Sequence, residues 1–128
     1  MSAAALRNRY LGDAVTTASP QRLLVMLYDR LALDLDRAHS ALVAGDKETS
    51  NEQLQHAQEI VMELHSSLDV SAWDGGPRLA ALYTWLLTEL ITANVKNDVR
   101  RVADCRRIVE PLRDAWREAA ASLGSTPA

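Results

Sequence analysis

The stretch SPQRLLVMLYDRLALDLDRAHSALVAG, residues 19–45, decides the fold. Within it Leu24, Leu27, Leu31, Leu35, Ala38 and Leu42 recur at alternating three- and four-residue steps, a spacing that lines one face of an α-helix. Both ends are punctuated. Ser19 is able to cap free backbone N–H groups, and Pro20 follows at the first helical position, where a missing N–H costs nothing. Gly45 stops the helix, because glycine most easily takes the left-handed conformation past a helix C-terminus.

Working outward, the same grammar returns three times. A second helix starts at Asp46 or, as the second choice, at Ser50, whose Ser50-x-x-Gln53 spacing is that of a capping box. Its seam is Leu54, Ala57, Val61, Leu64 and Leu68. A loop over 69–76 ends in Gly75-Gly76-Pro77, with proline again at a helix start. Leu79, Leu82, Leu86, Leu90 and Ala93 form the third seam. Asn97 suits a left-handed cap and Asp98 the next N-cap, and the fourth seam is Val102, Cys105, Val109, Leu112 and Trp116. Pro111 lies inside that last helix and predicts a kink without a break, because the seam stays in phase beyond it.

No stretch carries the period-two alternation of a strand. The expected fold is all-α: an antiparallel up-down-up-down four-helix bundle over 19–123, its short first and third connections forcing neighbours antiparallel. Residues 1–18 form a short amphipathic segment, partly ordered, and 124–128 a disordered tail.

Composition narrows the function. A chain of 128 residues makes one domain, and a net charge of −3 argues against nucleic acid as partner, since phosphate binding needs a basic footprint. No apolar run approaches the ~20 residues that span a bilayer, so direct membrane insertion is not expected. The N-terminus lacks the apolar core of a secretory signal and the single Cys105 cannot form an internal disulfide; both suit a cytoplasmic protein.

A search for reactive constellations ends without one. A di-iron bundle needs Glu-x-x-His pairs facing inward, and Asp36-Arg37-Ala38-His39 is the single weak analogue. His39, His56 and His65 read as polar flank residues, and none opens the His-x-x-Lys-Gly pattern of a phosphotransfer domain. Cys105 sits on a seam and reads as a small hydrophobe. The arginines of helix four alternate with acids, which reads as a solvated face laced with i,i+4 pairs. No enzyme activity, metal or cofactor is expected.

What the bundle does not need is its surplus of apolar residues. Met26 and Leu33, seven apart, stack as one stripe opposite the first seam. Leu87, Ile91 and Val95 form an i, i+4, i+8 row beside the third seam, and Trp85 points away from it. Leu6, Tyr10 and Ala14, with Leu11 and Val15 alongside, give the N-terminal segment an apolar face. Organised exposed patches mark interaction sites. The expected partner-binding set is therefore Leu6, Tyr10, Leu11, Val15, Met26, Leu33, Leu87, Ile91 and Val95. A dimerising structural bundle, in which these stripes form a weak homodimer, is the alternative.

Tyr10, Thr17-Ala18-Ser19-Pro20-Gln21, Leu24 and Met26-Leu27-Tyr28-Asp29 resemble the opening of the flagellar export chaperone family FliS. The resemblance continues through Ala57-Gln58, Leu64 and Leu68-Asp69, then Leu82-Tyr83, Leu86, Leu90 and Ala93-Asn94, and ends on Leu112-Arg113-Asp114-Ala115-Trp116. It implies a cytosolic chaperone that binds the disordered C-terminal segment of flagellin, blocks premature polymerisation and helps deliver the subunit to the export gate. It also implies that Tyr10 and its neighbours cover part of the client site. Two positions depart from the family pattern: Arg30-Leu31 replaces a small pair, and Pro111 replaces an acidic or neutral residue.

Overall fold

The computed structural model describes residues 19–125, with side chains to 122. Four helices follow one another: α1 (Pro20–Val43), α2 (Lys47–Ser67), α3 (Gly76–Lys96) and α4 (Val99–Ser125). Each packs on its neighbours in sequence, and α4 returns to pack on α1, closing a ring of four contacts with no direct packing across either diagonal. The face between α3 and α4 is the thinnest of the four.

The helix ends follow the local chemistry. Ser19 Oγ accepts the Arg22 N–H at 3.2 Å, and Gly45 adopts a φ of +76° just after α1. Of the two possible starts of α2 the chain uses the earlier, with Asp46 accepting the Thr49 N–H at 3.1 Å. Ser50 is instead buried inside the helix. Asn97 holds the left-handed conformation, and Asp98 then accepts from the Arg100 N–H at 3.1 Å. Helix α4 passes Pro111 without interruption and ends at Ser125, two residues beyond the 123 expected for the bundle.

The seams form one core. Leu31, Leu35, Leu54, Val61, Leu86, Leu90, Val102, Cys105 and Val109 are fully enclosed, while Leu42, Leu68, Leu82, Leu112 and Trp116 are partly buried against them. Burial pushes the Cys105 thiol up to about 12, so it remains an unreactive thiol. No helix among the described residues is long and apolar enough to cross a membrane.

Polar groups inside the bundle are the main departure from the seam pattern. Tyr28 and Tyr83 are buried, and their hydroxyls meet at 2.7 Å, joining α1 to α3 across a diagonal that helix packing leaves open. Burial raises the pKa of both phenols, so the bond is between neutral hydroxyls. Tyr28→Phe is expected to cost about 1–3 kcal/mol, because the Tyr83 hydroxyl is left enclosed without its partner. The double change Tyr28→Phe with Tyr83→Phe should cost less than the two single changes summed. A thermodynamic cycle by urea unfolding checks this; strict additivity would show that the hydroxyls do not depend on each other.

Candidate functional site: the apolar faces and the end cavity

His56 is no simple flank residue. Its Nδ1 meets Asp34 Oδ2, and Arg30 Nε donates to Asp34 Oδ1 at 3.0 Å. Asp34 has no exposed surface. Its burial outweighs both partners and raises its pKa. Arg30, one of the two departures from the family pattern, is thus tied to this carboxylate, and Leu31 beside it is core.

The charged residues of α4 do more than decorate a solvated face. Arg106 and Glu110 form the expected i,i+4 pair, but Arg106 also reaches Asp36 and Arg117 reaches Asp29, both on α1. Arg101 grips both carboxylate oxygens of Glu89 on α3 at 3.1 Å. Asp36, half of the weak iron-site analogue, therefore serves as a partner of Arg106. Among the described residues no cluster of His, Cys, Asp and Glu is placed to hold a metal ion.

The apolar surplus divides into two regions. On the outer side of α3, Ile91 is 45 % and Val95 77 % exposed, whereas Leu87 is half-buried and touches the core. Met62 of α2, 39 % exposed, belongs with this face and was not singled out by the sequence. On α1, Leu33 is 38 % exposed, but Met26 is half-buried and lines a groove with Arg22, Val25, Arg117 and Ala120. Met26 and Leu33 thus lie in different surroundings.

At the end of the bundle where α1 and α3 begin, a cavity of about 400 Å³ opens among Leu23, Leu64, Leu68, Trp73, Leu79 and Trp116. The α2–α3 loop builds one wall. The Trp73 ring lies so close to Gly75 that a Cβ there would stand 2.2 Å from it, and Gly76 is as close to the Val70 carbonyl oxygen. These glycines fit where a side chain would collide. Glu63 is buried at the cavity edge and accepts from Ser67 Oγ at 2.8 Å. Pro20 lines this cavity and Ser19 the α1–α4 groove, so residues 1–18 join the bundle beside both. Leu6, Tyr10, Leu11 and Val15 lie outside the described residues.

A helical bundle with open apolar faces and no assembled reactive set has the equipment of a polypeptide-binding protein. The family model of the flagellar protein FliS matches residues 2–123, and the chain belongs to that family. It is 34 % identical over 110 residues to the flagellar secretion chaperone FliS of Bacillus subtilis, covering 86 % of this chain and 82 % of that one. With the Escherichia coli flagellar secretion chaperone FliS it shares 32 % identity over 108 residues, 83 % of this chain and 79 % of the relative. A crystal structure of a bacterial flagellar chaperone superposes with a TM-score of 0.73, covering 92 % of this chain and 97 % of its own at 20 % identity. The chain is a chaperone of flagellar export and not an enzyme.

Proposed function

We propose that this chain binds the disordered C-terminal segment of flagellin in the cytoplasm, holds it from premature polymerisation, and presents it to the flagellar export gate. The observation that carries the reading is the uncovered apolar row of α3, Leu87, Ile91 and Val95, on a chain of the FliS family. A client that orders on binding must offset its ordering cost by burial, and such a row offers the apolar area. Leu33 and Met26 supply a second contact region. Leu6, Tyr10, Leu11 and Val15 complete the site in this reading, entering beside the end cavity.

The first test is a mixture of the protein with a flagellin C-terminal peptide on size exclusion. A 1:1 complex is expected; a concentration-dependent homodimer with no complex would favour the dimerising bundle. The second is Leu87→Gln with Ile91→Gln. Both side chains retain apolar surface to bury, and together they should weaken the affinity about tenfold, or about 1.4 kcal/mol. Isothermal titration reads the loss. Unchanged affinity with lowered stability would place both residues in the core and the client elsewhere.

A further inference from the structure

Three faces of the ring are tied by charge: α1–α2 by Asp34 and His56, α1–α4 by Asp36 with Arg106 and Asp29 with Arg117, and α3–α4 by Glu89 with Arg101. None of the ion pairs found among the described residues joins α2 to α3. That face is crossed instead by an amide bond, Asn94 Nδ2 donating to Asn51 Oδ1 at 2.8 Å. Helical steps from this bond run along α2 through Gln58 to Met62, and back along α3 through Ile91 to Leu87. Between Asn51 and His65, and between Ala80 and Val95, the positions on these two ridges carry no carboxylate, ammonium or guanidinium group.

We infer that the α2–α3 face is the docking strip for one amphipathic helix of the client, whose docking side is uncharged and combines aliphatic with amide or hydroxyl side chains. The inference rests on the proposed function and adds which face is used and what chemistry it selects. Charge complementarity points to the occupant. A charged side chain laid on this strip would be desolvated with no opposite charge to meet it, whereas Gln58 and the asparagines can pair with amides and hydroxyls. Size points the same way. The strip is about 21 Å long, some four helical turns, and about one helix wide. That offers a few hundred Å² at most, well below the ~800 Å² per partner of a stable dimer. Side chains at i and i+4, such as Leu87 and Ile91, match the helix-in-groove mode of recognition.

The test places either sign of charge on the strip. Gln58→Lys and Gln58→Glu are titrated with the flagellin C-terminal segment beside the parent and Gln58→Met, with thermal unfolding confirming that each variant is folded. Both charged variants should weaken binding at least about fivefold, since each buries an unpaired charge, and Gln58→Met should retain it. If one sign weakens binding and the other tightens it, the docking side is charged and the inference falls. If both leave affinity unchanged, the client uses another face. A homodimer of the parent that either charge dissolves would make a second copy the occupant. A parent that binds no flagellin segment removes the proposed function itself, a result distinct from all of these.

Discussion

Leu86→Ala is expected to lower the free energy of unfolding by about 2–5 kcal/mol, and Leu31→Ala by a similar amount. Both side chains are fully enclosed, on α3 and α1 respectively. The loss combines the transfer free energy of the removed methyl groups with the cavity left behind, which a packed bundle only partly closes. A stability of about 5–15 kcal/mol is usual for a domain, so either change removes a large share of it. Client binding should suffer only through the unfolded fraction, and affinity per folded molecule should be retained. Urea unfolding provides the measurement, and a midpoint equal to that of the parent would show that these residues are not core.

The second large effect concerns the buried carboxylate. His56→Ala should cost about 3 kcal/mol at pH 7, the low end for breaking a buried pair, because Arg30 remains beside Asp34. Asp34→Asn should cost less, since it removes the charge that burial penalises. The pH dependence separates this from simple loss of packing. Burial holds the pKa of Asp34 above the ordinary 3.8, so its proton is bound more tightly in the folded chain than in the unfolded one. The favourable contribution of such a group is full below 3.8 and is lost as pH rises through the folded value. Without His56 that value rises further. The stability gap between parent and His56→Ala should therefore open between about pH 4 and pH 7 and narrow on acidification. An equal gap at both ends would mean that the histidine contributes packing alone.

The seams were legible in the sequence because an apolar residue every three or four positions has one helical solution. Caps were legible for the same local reason: Ser19, Gly45, Asp46 and Asn97 act within a few residues of themselves. The buried polar residues were not. Asp34, Tyr28 and Tyr83 sit at the flanks of their seams, and a flank position is solvated or enclosed according to which neighbour stands beside it. That choice depends on the rotation of each helix in the ring, which a single helix period does not encode. The candidate site divides in the same way. The row Leu87, Ile91 and Val95 lies on one helix and could be read directly. Met62 becomes part of the same surface only once α2 is placed against α3, and the end cavity exists only where separate helix ends converge.

The ring closes in a way that bears on how the chain folds. Every helix contact except α1–α4 joins neighbours in sequence, across connections at 44–46, 68–75 and 97–98. Most contacts can thus form by local hairpin docking, each closing a short loop. A single long-range encounter remains, in which α4 returns to α1 and the pairs Asp29–Arg117 and Asp36–Arg106 set its register. Low contact order of this kind belongs to proteins that fold in microseconds to milliseconds. A chaperone built this way regains its shape faster than an unordered client can collapse onto its core residues. Its own folding need not compete with the polypeptide it is meant to keep apart.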